Sequence, residues 1–237
     1  MRLITWNCQG AFRKKAEFIL KMQPDILIVQ ECEHPGKLKF ADAIPKPKDF
    51  YWHGDNRHKG IGIFSYSDYT IELLPQFDPK FRYILPLKVS NGLESFTIFA
   101  IWAMDDKVDR RLSYVMQIWQ AIEHYQDLLV NSTILVGDFN SNTIWDRKGR
   151  VGNHSDLVKR LAEKNIHSIY HHKFAAEQGK EIHPTFYLYK NQLKPYHLDY
   201  CFVSRDLLDR LVSFDIATYE DWIEHSDHSP IHIAFRI

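Results

Sequence analysis

Cysteine is scarce: Cys8, Cys32 and Cys201 are the three in 237 residues. They are too few for a disulfide framework and too scattered for a zinc ribbon, so all three are read as reduced thiols. The chain also lacks any run of about 18 uncharged apolar residues, the length a membrane-spanning helix needs. The opening MRLITWNCQG has no apolar stretch of the kind a secretory signal requires, and the expectation is a cytoplasmic protein. Net charge is absent too, since 30 basic residues meet 30 acidic ones and leave no global field to hold a polyanion. No repeat, low-complexity segment or linker-like composition interrupts the sequence, so one domain over residues 1–237 is expected. With 45% hydrophobic residues, a chain of this length can bury a large core.

The cancelled charge hides segregation. Between His34 and Gly60, Lys37, Lys39, Lys46, Lys48, Arg57 and Lys59 face three acids, Asp42, Asp49 and Asp55; from Arg205 to Asp227, seven acids face two arginines. Solvated loops account for such runs by default, and a locally basic surface is the functional alternative.

Short β-type runs alternate with turn signals and a few helical patterns, which argues for an α/β chain. A first strand is read at Arg2–Cys8, followed by Phe12, Ala16, Ile19 and Leu20 at helical spacing until Gln23-Pro24-Asp25. Ile26–Val29 is apolar throughout, as suits a strand buried on both faces, so Glu31 stands where a central strand leaves the core. Further strands are read at Ile61–Tyr66, Thr70–Leu74, Tyr83–Val89, Ser95–Ala103, Thr133–Val136, His197–Val203, Leu211–Ala217 and Ile231–Phe235. A long helix is expected from an N-cap at Asp109 to Val130, and another near Asp156–Lys164.

The chemistry collects where strands end. Asn7, Gln30-Glu31, Gly137-Asp138-Phe139-Asn140, Asp199 and Ser226-Asp227-His228 each carry polar side chains at or beside an expected strand terminus. Any one of them is explained as a cap or turn residue; together they form a set of oxygen and amide donors that suits a hard cation such as magnesium or manganese better than zinc. Asp138 and Asn140, two apart, share a face in an extended segment, so one can take a proton while the other donates to an anionic oxygen. Asp199 is the natural orienting partner for the His228 imidazole.

In this order, Trp6-Asn7, Gln30-Glu31, Gly137-Asp138-Phe139-Asn140, Leu198-Asp199-Tyr200 and Ser226-Asp227-His228 resemble the endonuclease/exonuclease/phosphatase superfamily. The resemblance runs from Asn7 to His228 and implies an α/β fold, a sandwich of two mixed β-sheets flanked by helices in four layers. It implies Glu31 as principal ligand of a magnesium or manganese ion, with Asn7 and Asp227 nearby. It further implies Asp138 as the group activating the attacking water, Asn140 as its helper, and His228, oriented by Asp199, on the scissile phosphate. Trp102 stands where many nuclease members carry a tyrosine or histidine, and an indole donates one hydrogen bond but cannot act as an acid. Gln9 stands where abasic-site endonucleases carry an aspartate, which removes a charge from the metal site.

Substrate contacts are expected from Trp102 and Arg57, and from Asn142, Trp145 and Arg147 in the loop Ser141–Asn153, which mixes an aromatic with basic residues as single-strand binders do. The scattered histidines His154, His167, His171, His172 and His183 lack the spacing of a second metal site. The expected function is a divalent-metal-dependent phosphodiesterase, a monomeric nuclease acting on DNA or RNA. The alternatives are a phosphatase or phosphodiesterase on a small or lipid-linked phosphate, and an inactive binding module.

Overall fold

A computed structural model of the chain describes residues 1–38, 44–109, 112 and 114–237. Lys39 and Asp42 of the basic segment, and Arg110, Arg111 and Ser113 of the expected long helix, lie outside the described residues. In chain order the strands begin with β1 (Arg2–Asn7), β2 (Ile26–Cys32), β3 (Asp49–Asn56), β4 (Lys59–Ser65), β5 (Thr70–Leu73), β6 (Ile84–Ser90) and β7 (Ser95–Trp102). They continue with β8 (Thr133–Asp138), β9 (Ile166–Ser168), β10 (Phe186–Tyr187), β11 (Pro195–Tyr196), β12 (Asp199–Ser204), β13 (Leu211–Ile216) and β14 (Ile231–Phe235). Two six-stranded sheets result, ordered β13-β14-β1-β2-β4-β3 and β5-β6-β7-β8-β12-β9, while β10 and β11 form a separate ribbon. Each sheet is mixed, with one parallel pair at its centre: β1 with β2, and β7 with β8.

Strand alternation sorts the apolar side chains into layers. Leu3, Ile26, Ile28, Ile61 and Ile63 from the first sheet pack against Leu85, Ile98, Ala100, Ile134, Val136 and Val203 from the second. Between these residues on their strands, Ile4, Trp6, Leu27, Val29 and Phe64 face outward onto Phe12, Ile19 and Leu20, the last two on α1 (Ala16–Leu20). The outward residues of the second sheet, Phe99, Leu135 and Phe202, meet Ile118 and Ile122 of α2 (Val115–His124) and Leu157 and Leu161 of α3 (His154–Glu163). The central strands β2 and β8 are therefore apolar on two faces, which explains their unbroken hydrophobic runs. The shorter helices α4 (Ile169–Phe174), α5 (Arg205–Leu208) and α6 (Tyr219–Trp222) complete the shell. No helix among the described residues is long and apolar enough to cross a membrane.

Two expectations need correction. The long helix is cut back to α2 because Tyr114 has φ 50° and ψ −126°, outside helical space, and Leu112 N–H closes a turn onto the Asp109 carbonyl at 2.8 Å. Tyr114, not Asp109, thus precedes the helix, and a 3-10 turn at Gln126–Leu128 follows it. The segment Asp49–Asn56, where no strand is expected, is the edge strand β3, paired with β4; its aromatic run Phe50-Tyr51-Trp52 suits a strand.

Two backbone features aim the strand ends. The β2–β4 register pairs Gln30 with Ile61 and Cys32 with Gly60, leaving Glu31 as the extra residue of a bulge with φ 59°. Gly137 sits at φ 138°, where a Cβ would collide with the Ile101 carbonyl of the neighbouring strand and meet the Gln30 amide nitrogen at 2.9 Å. Gly137→Ala is therefore expected to cost about 2–4 kcal/mol, lowering Tm by roughly 5–15 °C for a chain of this size. A thermal melt in which the variant matches the parent protein would contradict this reading.

Candidate active site

The register builds a row of functional side chains across the second sheet: Trp102 pairs with Asp138, and Asp138 with Asp199. Because Ile134, Val136, Cys201 and Val203 face the other sheet, Asp138 and Asp199, two residues beyond each series, face it as well. By the same count Asn7 on β1 faces back toward them. Its amide Nδ2 donates to Asp138 Oδ2 at 2.9 Å and so ties the two sheets together at one end. His228 arrives just before β14, held by its backbone. Ser226 Oγ accepts from the His228 N–H at 3.1 Å and donates to the Asn7 carbonyl at 2.7 Å, while Trp6 Nε1 donates to the His228 carbonyl at 3.0 Å.

Two buried carboxylates on paired strands repel each other, and the imidazole resolves the conflict. His228 Nδ1 lies 2.8 Å from Asp199 Oδ2, and Nε2 lies 4.0 Å from Asp138 Oδ2. Burial alone would lower the proton affinity of His228, but Asp199 and Asp138 outweigh it, and the ring is held protonated well above its usual range. Burial pushes Asp138 up; His228 pulls it back, and Asp199 adds to the rise. The 4.0 Å between imidazolium and Asp138 is too long for a direct hydrogen bond, so Nε2–H remains available to an oxygen entering the site. Asp138 Oδ1 accepts from the Asn140 backbone N–H at 2.9 Å, and Oδ2 accepts from Asn140 Nδ2 at 3.1 Å. Asn140 Nδ2 also donates to the Ala103 carbonyl at 2.8 Å, so one amide hydrogen anchors the side chain and the other orients Asp138.

Glu31 and Asp227 form a more open shell around this buried core. The bulged Glu31 meets Lys59 Nζ at 2.8 Å through Oε2. Asp227 Oδ2 accepts from Gln9 Nε2 at 2.8 Å; burial raises its proton affinity and nearby Glu31 adds to the rise, against the pull of His228. A carboxamide at position 9 therefore supports Asp227 where a further aspartate would repel it.

Asp138, Asp199 and His228 each bring a ligand atom within 4.8 Å of the other two, close enough to hold a metal ion. A protonated His228 bound to Asp199 offers no lone pair at Nδ1, however. The Glu31 carboxylate, part-open and already paired with a cation, offers oxygens of the kind a hard divalent ion takes.

The remaining expected contacts divide. Trp102 is 4% exposed, beneath Lys59 and 4.9 Å from the Tyr83 ring, and packs in the core between the sheets. Asn142 is also a correction: buried at 4% exposure, its Nδ2 contacts Glu181, the His197 carbonyl and the Tyr200 hydroxyl, and its Oδ1 caps the Ile144 N–H. It anchors its loop from below. Trp145 is half exposed and rests 5.4 Å from Tyr196, while Arg147 and Arg57 lie exposed on the 141–153 loop and the β3–β4 turn. The sequence reading missed the structural roles of Trp6, Ser226 and Gln9, and passed over Tyr196, which pairs with Phe186. Position beside Asn7 and His228 was the available signal for the first three; the aromatic pair needed the β10–β11 pairing to be seen.

The family model described as Endonuclease/Exonuclease/phosphatase family matches residues 4–220. The chain belongs to that family. No curated protein matches it significantly. Among solved structures, an AP endonuclease from Leishmania major superposes with a TM-score of 0.71 at 14% identity, covering 100% of this chain and 87% of that one. A 3′-5′ exonuclease, NExo, from Neisseria meningitidis gives 0.69 at 18% identity, with 100% of both chains covered. The endonuclease domain of TRAS1, a telomere-specific non-LTR retrotransposon, gives 0.67 at 18% identity, covering 99% and 97%. At these identities the likeness establishes the fold, and the two mixed sheets with flanking helices are the expected sandwich.

The charge arrangement makes a spectroscopic prediction. With the imidazole carbon-labelled, His228 should remain protonated across neutral pH, and Asp199→Asn should bring its titration down toward the ordinary value of 6.5. A parent protein in which His228 already titrates near that value would contradict the arrangement.

Proposed function

We propose that this chain is a divalent-metal-dependent nuclease, a monomeric single-domain cytoplasmic enzyme that hydrolyses phosphodiester bonds in DNA or RNA. Family membership supports phosphoester hydrolysis. The polynucleotide reading rests on one observation, an aromatic ledge that ends on the site. Trp145 lies 5.4 Å from Tyr196, Tyr196 lies 6.3 Å from Phe186, and Phe186 lies 4.6 Å from the His228 ring. A small phosphate needs no such surface, whereas successive bases stack on one.

In the proposed mechanism Asp138 takes the proton of the attacking water, its carboxylate fixed by Asn7 and Asn140 and its proton affinity raised by burial. His228 donates through Nε2 to a nonbridging phosphate oxygen while Asp199 holds the ring and balances its charge. Glu31, with Asn7 and Asp227, would hold the magnesium or manganese ion, which when bound neutralises charge on the phosphate and the leaving oxygen.

Purified protein should cleave oligonucleotides in magnesium or manganese, lose that activity in chelator, and lose about 10²–10⁴-fold in kcat on Asp138→Asn. Turnover of small phosphoesters with no oligonucleotide cut would replace the nuclease by a phosphatase. Absence of turnover on any phosphoester would leave a binding module.

The ledge predicts a separate effect on affinity. Trp145→Ala should weaken single-stranded oligonucleotide binding by about 1–3 kcal/mol if one base stacks there, with metal affinity unchanged. Unaltered binding across a salt series would remove the ledge from the substrate path.

A further inference from the structure

Lys59 opens β4, directly after the Arg57-His58 turn, and the register that pairs Asn56 with Lys59 fixes it at the tip of the β3–β4 hairpin. The next residue, Gly60, pairs with Cys32, so the hairpin brings Lys59 alongside the bulge that carries Glu31. Its Nζ lies 2.8 Å from Glu31 Oε2 and 5.6 Å from the centre of the Trp102 ring. The ammonium is thus held between a carboxylate and the face of a buried indole, two groups that attract any cation. The Glu31 side chain is 20% exposed and that of Lys59 48% exposed, so the pair sits at the mouth of the site and not in its core.

A divalent ion held by Glu31 would compete with the ammonium for the same carboxylate. An ammonium at hydrogen-bond distance from the same carboxylate would then face a doubly charged neighbour at close range. The two cations would repel each other, and the flexible lysine stem is the part able to move.

We propose that Lys59 is the resident counter-cation of Glu31, displaced when the metal binds, and that it sets the metal concentration at which the site loads. It is a positioning residue, holding the bulged carboxylate compensated and oriented. The proposal rests on the reading of Glu31 as a metal ligand.

The test compares magnesium affinity by calorimetry in the parent protein, Lys59→Met, Lys59→Arg and Glu31→Gln. Lys59→Met keeps the stem and removes the charge, and should bind magnesium roughly two- to fivefold more tightly, the range of a part-exposed ion pair. Lys59→Arg should return the affinity toward that of the parent. Equal or weaker binding by Lys59→Met overturns the proposal while Glu31→Gln still loses metal; if Glu31→Gln binds magnesium like the parent, the metal reading of Glu31 falls as well. A second readout needs no change at Lys59. Departure of the ammonium from the Trp102 face should alter tryptophan emission during a magnesium titration of the parent protein, and Trp102→Phe should abolish that component. A titration that saturates with no Trp102-dependent change also overturns the proposal.

Discussion

Two carboxylates directly opposite each other on buried neighbouring strands are the constraint around which the site is organised. Asp138 and Asp199 occupy paired positions on β8 and β12, where like charges destabilise a sheet unless a cation stands between them. His228 is that cation, and its place depends on contacts reaching across the chain to Trp6 and Asn7. Removing His228 would leave the two buried carboxylates facing each other with no cation between them, a costlier state than the intact network.

The same geometry divides labour by depth. Asp138 and His228 lie buried, so their proton affinities are displaced from ordinary values, and the amides of Asn7 and Asn140 fix the orientation of Asp138. Glu31 and Asp227 stay nearer to solvent, at the mouth of the site. A single bulged residue separates the two zones: without the extra position at Glu31, strand alternation would give it the outward face of Val29, toward α1.

Much of this was legible in the sequence because polar residues at the ends of apolar runs are strong signals. Asn7, Glu31, Asp138, Asp199 and His228 were all identifiable from that pattern, and the alternation that buries Ile134 and Val136 also aims Asp138. Less legible were features set by register between distant segments. Nothing local tells that Lys59 meets Glu31, or that Trp102 lies under it in the core between the sheets. Asn142 misled for a related reason: it follows Asn140 closely and has a binding-type amide, yet its partners Glu181, His197 and Tyr200 come from remote parts of the chain. The early start expected for α2 failed because one left-handed residue, Tyr114, outweighs a favourable helical periodicity.

The central claim, that Asp199 and His228 act as one unit on the phosphate, is tested most directly by a double-mutant cycle on oligonucleotide hydrolysis. If the imidazole works only when its aspartate holds it, His228→Ala and the combined variant with Asp199→Ala should be similarly inactive, the second loss adding little to the first. Losses that add in full would show the two side chains working independently and would contradict the account.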